Sequence, residues 1–452
     1  MEIPHGAGSP CSQTSTGSGR RVVDEQESPR KRTPYIDIRH TLARHSSAVG
    51  VLTGTRRAPP RSGTRKTVGR RVGGGPEGRV MGMKRRSLLG RIAVVGAAGV
   101  AGSALTLPGT AQAAAWKKRL TGADLDTNSR WRVAGTDLGI PYVLENGSIG
   151  YLFGDTFDTP WPEGPPLPND WRSPVMLRSA VHPGAAGGVV FDSAARVAGN
   201  GRAPEVMHNG HNGIGIDGLW EVTVIPNDGI SFPETGRQLI SYMSIENWNS
   251  AGPAGPHWKS RYAGIAYSDN GNDFVRTPLK WFNTPDNKDP FQMWTMQRDG
   301  DWVYVFSVRS GRQDGPMMLR RVRWDRLFYP ESYEGWGWNG SNWGWGRPCS
   351  PILTGRFGEP SVRRLADGTW VMSYLNCATG NIVTRTATGP DRAWTPEKIQ
   401  VTSWQEPGLY GGFIHPWSSR QANDLHLLVS KWTRTPDGRS TAYHVSQFVG
   451  TV

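Results

Sequence analysis

Two aspartates, Asp137 and Asp155, stand 18 positions apart in the stretch GTDLGIPYVLENGSIGYLFGDTF. A pair of carboxyl groups can protonate a leaving oxygen while its second member activates water or attacks an anomeric carbon, provided the two flank the bond that breaks. The residues between them predict how they meet. Asn146-Gly147 is a two-residue turn signal with φ > 0 expected at both central positions, and apolar runs, Ile140 to Leu144 and Ile149 to Phe153, lie on either side. Folding back there pairs Glu145 with Ser148, sets Asp137 opposite Thr156 and Asp155 opposite Leu138, and brings both carboxylates to one end of the hairpin. Facing or diagonal residues on paired strands sit roughly 4.5–8 Å apart, the range such chemistry needs. Gly139 and Pro141 interrupt the ladder, so the facing is not fixed by the pattern. Singly, Asp137 reads as a turn cap and Asp155 as a strand end; together they lead the candidates.

Other residues of interest are more dispersed. Glu359, in Gly358-Glu359-Pro360-Ser361, and Glu221, in Trp220-Glu221-Val222, either face a channel or form structural ion pairs. Tyr410-Gly411-Gly412-Phe413-Ile414-His415 combines an aromatic, two glycines that let a ligand approach the backbone, and a histidine that either bonds a substrate hydroxyl or is buried against backbone. The sequence has no GxSxG nucleophile elbow, no His/Cys cluster with zinc spacing and no glycine-rich phosphate loop opening a helix. No cofactor and no metal site are expected.

Three segments are expected along the chain. Residues 1–82 are rich in Gly, Ser, Thr and Arg, carry 15 Lys+Arg against 6 Asp+Glu, and lack the apolar content for a core; they read as a disordered basic leader or as sequence upstream of a misplaced start. Residues 83–113 combine Lys84-Arg85-Arg86, an apolar run from Ile92 to Leu107 and the small-x-small site Ala111-Gln112-Ala113, the pattern of a signal peptide; Arg85-Arg86 before Ser87-Leu88-Leu89 resembles a twin-arginine export signal. The remaining 114–452 would be a secreted domain with no stable membrane anchor. The formal charge of +14 falls almost to neutrality there, with 33 basic and 32 acidic residues, so a nucleic-acid partner is not expected. All 20 tryptophans lie in this part, which suits stacking on sugar rings. Export also permits a disulfide between Cys349 and Cys377, which the sequence leaves open.

Short apolar strands separated by Gly, Pro, Asn and Asp recur at intervals of roughly 50–70 residues after Trp116, with no long helix. Units are expected at the opening hairpin with Val175–Val181; at Trp220–Ile225, Gln238–Ile245 and Gly264–Ser268; at Gln292–Gln297, Trp302–Arg309 and Met318–Trp324; at Pro360–Leu365, Trp370–Asn376 and Ile382–Thr388; and at Gly412–Trp417, Leu425–Lys431 and Ala442–Phe448. Five such units predict an all-β, five-bladed β-propeller, its last blade completed by the N-terminal strand. Pro160–Pro174 and the Trp-rich Glu334–Arg347 stand outside the blades. The latter shows no strand period in this reading, and is expected to be either a lid or sugar-binding rim or a Trp-stapled structural loop.

The ordered motifs GTDLGIPY…LFGDTF, YMSIENW…YAGIAYSDNG, FQMW, GEPSV…TWVMSYLN, IVTRTATGPDRAW and YGGFIHPW, covering nearly all of residues 120–449, resemble the secreted actinobacterial endo-D-arabinanases, formerly a domain of unknown function. The resemblance implies a five-bladed propeller that hydrolyses internal α-D-arabinofuranosyl linkages of arabinogalactan or lipoarabinomannan, with Asp137 and Asp155 at the positions of the catalytic aspartates. In this reading Asp137 is expected to be the base and Asp155 the acid, with Glu359, Tyr410, His415 and Trp294 contacting substrate, in a monomer whose partner is cell-wall arabinan. Where the family often has Gly-Glu-Leu-Ser, this chain has Gly358-Glu359-Pro360-Ser361. The alternatives are an exo-acting or L-arabinan-specific furanosidase, and a glycan-binding propeller without catalysis.

Overall fold

A computed structural model describes residues 113–160, 170–252, 255–436 and 440–452. Residues 1–112, where the leader and signal segment are expected, and the middle of the Pro/Trp-rich loop after Asp155 lie outside the described residues.

The described residues are almost wholly β. An N-terminal strand β1 (Ala115–Arg119) precedes a first meander of β2 (Gly135–Val143), β3 (Ile149–Phe157), β4 (Val175–Ser179) and β5 (Ser193–Ala194). A small ribbon, β6 (Gly213–Ile214) and β7 (Trp220–Glu221), leads to the second meander, β8 (Thr223–Phe232), β9 (Arg237–Gly252), β10 (Gly255–Ser268) and β11 (Val275–Phe282). The third has β12 (Met293–Asp299), β13 (Trp302–Val308) and β14 (Asp314–Arg323), with a ribbon of β15 (Glu334–Trp338) and β16 (Trp343–Trp345) hung from it. The fourth runs through β17 (Leu353–Arg364), β18 (Trp370–Asn376), β19 (Asn381–Ala387) and β20 (Lys398–Val401), and the fifth through β21 (Leu409–Ile414), β22 (Leu425–Arg434) and β23 (Ser440–Gly450). β14 and β17 pair at one end and merge the third and fourth meanders into a single sheet. β1 pairs antiparallel with β23 and becomes the outer strand of the last sheet, so the two ends of the domain are sewn together.

The first strands of successive meanders touch in a closed cycle: β2 meets β8, β8 meets β12, β12 meets β17, β17 meets β21, and β21 meets β2. The sheets thus form a propeller-type ring with these strands innermost. Apolar clusters fill the spaces between neighbouring sheets: Phe153, Leu177, Leu428 and Val445 between the first and fifth, and Ile230, Ile265, Trp294 and Val303 between the second and third. Strands sandwiched on both faces, such as β3, are buried at every position, which is why they read as continuous apolar runs.

Around the axis, charge does the joining. The buried Asp228 carboxylate on β8 accepts bonds from the Arg363 guanidinium on β17 at 2.7 and 2.9 Å, from the Thr295 hydroxyl on β12 at 2.7 Å and from the Met296 amide at 2.8 Å. Arg363 also donates to the Pro141 carbonyl on β2 at 2.8 Å. One ion pair therefore ties four inner strands, with its remaining lone pairs and protons satisfied, the condition under which a buried pair is tolerated. Glu221 is likewise structural: it is buried and salt-bridged to Arg276 at 2.8 Å.

Two sequence expectations are corrected here. Leu144 N–H bonds to Ser148 O at 2.8 Å and Gly147 N–H to Leu144 O at 2.9 Å, so the opening hairpin turns over three residues, Glu145 to Gly147, with positive φ at Gly147 alone. Its register is one residue off the expected one: Thr136, not Asp137, faces Thr156. The Trp-rich segment is a ribbon rather than an irregular rim. Trp336 pairs with Trp345 and Trp338 with Trp343, Trp336 stacks on Trp343, and Arg321 lies between the rings of Trp302 and Trp345. Cys349 and Cys377 are free thiols.

Candidate active site

Four of the five inner strands carry a bulge, and all four bulges face one cavity of about 410 Å³. The register breaks on both sides of Leu138 on β2, where Asp137 stands against Gly154 and Asp155 of β3 and Gly139 is the extra residue of β2, and between Pro226 and Asp228 on β8, Gly358 and Ser361 on β17, and Tyr410 and Gly412 on β21. A bulge leaves a residue out of the ladder and re-aims its side chain. The residues freed in this way include Asp137, Asn227 and Glu359, and the cavity is lined by all three, together with Tyr410 and Asp155.

Asp137 and Asp155 reach the cavity from adjacent strands. Gly154, just before Asp155, makes room for this: a Cβ there would collide with Asp137 Oδ1. Asp137 Oδ2 accepts a 2.9 Å bond from the Tyr410 hydroxyl, and Tyr443 also hydrogen-bonds this carboxyl. Asp137 Oδ1 is buried and has no hydrogen-bond partner among the described residues. Asp155 Oδ1 accepts from Trp171 Nε1 at 2.7 Å and from the Thr223 hydroxyl at 3.1 Å. Burial raises both carboxyls above their ordinary value of 3.8. Asp137 rises to about 7, pushed further by the charges of Asp155 and Glu359 against the pull of the two tyrosine hydrogen bonds. Asp155 rises to about 6, with Trp171, Thr223 and His211 pulling it back down. Two close carboxyls in an apolar setting do not both ionise readily, so the pair holds a proton near neutral pH.

Glu359 lies across the cavity in an ion pair with Arg312, whose Nε donates to Oε1 at 2.8 Å. Both residues have positive φ, 32° for Glu359 and 54° for Arg312, and strained backbone of this kind concentrates at functional sites. Arg312 follows Gly311 (φ 86°), where a Cβ would meet the Trp258 carbonyl. The tight turn lays the guanidinium over the Tyr410 ring, 4.9 Å from its centroid. The mouth is aromatic: Trp248 and Trp258, packed edge-to-face at 6.1 Å, come from the long β9–β10 hairpin, and Trp432, with Arg434 stacked 4.0 Å from its centroid, comes from β22.

Trp294 lines the cavity, but its indole is buried, packs at 4.5 Å on Trp281 and donates to Phe291 O at 2.8 Å. His415 is not at the cavity, which corrects its assignment as a substrate contact. It is fully buried, bonded to the Tyr151 hydroxyl at 2.9 Å, and its Nδ1 accepts from the Trp417 amide at 3.2 Å. Burial holds its pKa well below the ordinary histidine value. The residue lies one position past the end of β21 and its last ladder pair, Ile414 with Leu427, at the opposite end from Tyr410. Trp171, Thr223, Tyr443, Arg312 and the mouth tryptophans were not singled out from sequence. Of these, only Arg312 had a local signal, the Ser310-Gly311-Arg312 turn.

The family described as Domain of unknown function (DUF4185) matches residues 122–449. The chain belongs to this family. The Notoamide biosynthesis cluster protein J' of Aspergillus versicolor is 56% identical over 356 residues, which cover 77% of this chain and 96% of the relative. That relative is fungal, so the motifs of this family are not confined to actinobacteria. Among solved structures, an alpha-L-arabinofuranosidase from Podospora anserina aligns with a TM-score of 0.38 and 10% identity, over 75% of this chain and 97% of that one. An exo-beta-1,3-galactanase from Phanerochaete chrysosporium aligns with a TM-score of 0.40 and 10% identity, over 75% and 64%.

Proposed function

We propose that the protein is a glycoside hydrolase, a five-bladed propeller that cleaves internal α-D-arabinofuranosyl linkages of arabinan. The observation that carries the hydrolase assignment is the delivery of Asp137 and Asp155 into one aromatic-mouthed cavity, both raised above the usual carboxyl range. Such a cavity, apolar with a few convergent polar groups of perturbed pKa, is where a small ligand is expected to bind. The exposed tryptophan faces suit the apolar faces of sugar rings, and the unpartnered Asp137 Oδ1 suits a bond to a glycosidic oxygen. The choice of arabinan rests on the motifs that resemble endo-D-arabinanases, and export by the twin-arginine route rests on residues 83–113.

In the proposed mechanism Asp137, which faces two other carboxylates, keeps the shared proton on Oδ1 and delivers it to the leaving oxygen. Its conjugate carboxylate is then stabilised by the Tyr410 hydroxyl on Oδ2 and by the hydrogen bond from Tyr443. Asp155, its Oδ1 fixed by Trp171 and Thr223, is the ionised partner that activates water or attacks the anomeric carbon. This order is the reverse of the one expected from sequence. It follows from the charges around Asp137. The test is Asp155→Asn, which is expected to abolish oligosaccharide release from arabinan while leaving the melting transition cooperative; release at the wild-type rate would overturn the assignment.

A further inference from the structure

Three groups stand in line behind the proposed acid. Glu359 on β17 grips Arg312 through Nε at 2.8 Å and through a second guanidinium nitrogen. Arg312 spreads over the Tyr410 ring at 4.9 Å, and Tyr410 donates to Asp137 Oδ2 at 2.9 Å. The arrangement is strained to make it possible, since both Arg312 and Glu359 adopt left-handed backbone. The turn before Arg312 is held by the His257 ring, whose Nδ1 is 2.9 Å from Gly311 O, and by the Ser310 hydroxyl, which bonds Asn287 Oδ1 at 2.6 Å.

We propose that Arg312 is a positioning residue which, anchored by Glu359, strengthens the hydrogen bond that Tyr410 donates to Asp137 and so sets how readily Asp137 gives up its proton. A guanidinium held against a phenol ring draws charge from it, and an acidified donor makes a stronger bond to a carboxylate, because linked hydrogen bonds polarise one another. The other charged or titratable groups that face Asp137 are Asp155 from β3, Glu359 from β17 and Tyr443 from β23. The two carboxylates favour the protonated form, and the two tyrosines favour the ionised form. Arg312 acts on this balance through Tyr410 as well as by its own charge, while Glu359 keeps it flat on the ring. Lysine does not substitute, because a flexible point charge cannot fork onto a carboxylate and lie flat on a ring together.

The inference rests on the hydrolase assignment for its meaning, but its test does not need turnover. In protein carrying isotope-labelled aspartate, the carboxyl carbon of Asp137, identified by its loss in Asp137→Asn, is titrated by NMR in the wild type, in Arg312→Met, in Tyr410→Phe and in the double variant. Arg312→Met is expected to raise the midpoint by about one pH unit, a tenfold change in proton affinity. In the Tyr410→Phe background the same substitution is expected to move it by about a third as much, because the route through the phenol is gone. Equal shifts in the two backgrounds, or none in either, would overturn the proposal. Arg312→Met leaves the Glu359 carboxylate without its partner, so the cycle is repeated with Arg312→Lys. A smaller shift is expected there, one that vanishes in the Tyr410→Phe background because lysine keeps the charge, and equal shifts are disqualifying. If the cycle comes out as expected and no glycan is cleaved, the relay stands and the hydrolase assignment falls.

Discussion

The hydroxyl of Tyr410 donates a 2.9 Å hydrogen bond to Oδ2 of Asp137, joining the inner strands of the last and first sheets across 273 positions of sequence. The bond leaves Oδ1 of the same carboxyl without a partner among the described residues. One oxygen is anchored, and in the proposed mechanism the other carries the proton. Hydrogen bonds to a charged group contribute about 1.5–3 kcal/mol, so Tyr410→Phe is expected to weaken Asp137 as an acid by about one to two pH units. The basic limb of the pH–rate profile moves upward and kcat falls, whereas a limb that stays in place would show that the bond does not act on the proton.

Wild-type activity is expected to follow a narrow bell. It is lost as pH falls through the titration of Asp155, raised to about 6, and lost as pH rises through that of Asp137, raised to about 7. The raised pKa also makes Asp137 a stability liability. Its folded-state value lies above the ordinary 3.8, so the fold carries no penalty below that pH and loses stability as pH rises from there through about 7. Each tenfold difference in proton affinity between folded and unfolded chains corresponds to about 1.4 kcal/mol. Asp137→Asn is therefore expected to melt above wild type at about pH 8, with the difference shrinking as pH falls and gone below about pH 4. Thermal melts across that range check it; an Asn variant less stable than wild type at the alkaline end would contradict it.

Gly154→Ala tests how closely the pair is packed. The added Cβ would collide with Asp137 Oδ1, while the backbone of β3 would accept alanine. The expected result is a folded protein with activity reduced by about 10²-fold or more, since displacements of about 1 Å are enough for that. Activity within about twofold of wild type would show that Asp137 can move without consequence.

At the axis, Arg363→Met strands the buried Asp228 carboxylate, which also binds Thr295 and Met296. Breaking a buried pair by removing one partner costs about 3–5 kcal/mol. The double variant Asp228→Asn with Arg363→Met is expected to recover part of that loss in denaturant unfolding, and a single variant as stable as wild type would remove the ion pair from the account of the ring.

The ring and the paired aspartates were legible because strand alternation and turn residues act locally. The N-terminal strand completing the last sheet was expected too, and β1 does pair with β23. Register was not: a three-residue turn shifts the hairpin by one residue, two breaks on either side of Leu138 cancel each other, and Gly139 and Pro141 marked only that the ladder breaks. The Trp-rich ribbon carried its own signal, tryptophan alternating with glycine at a period of two on both sides of Asn339–Asn342, which a search for apolar runs passes over. His415 followed the two glycines of β21, but its strand carries it past the cavity into the core. Tyr443 and Thr223 meet Asp137 and Asp155 only because other sheets close the circle, and Trp171 reaches Asp155 from the loop after β3; no local pattern in the sequence encodes these meetings.

The most direct test is the product profile of the purified domain on mycobacterial-type arabinogalactan. A ladder of arabinofuranosyl oligosaccharides is expected from wild type, with none from Asp137→Asn or Asp155→Asn. Failure of the folded wild-type protein to release any saccharide, or release of the same ladder by either variant, would contradict a hydrolase built on these two carboxylates.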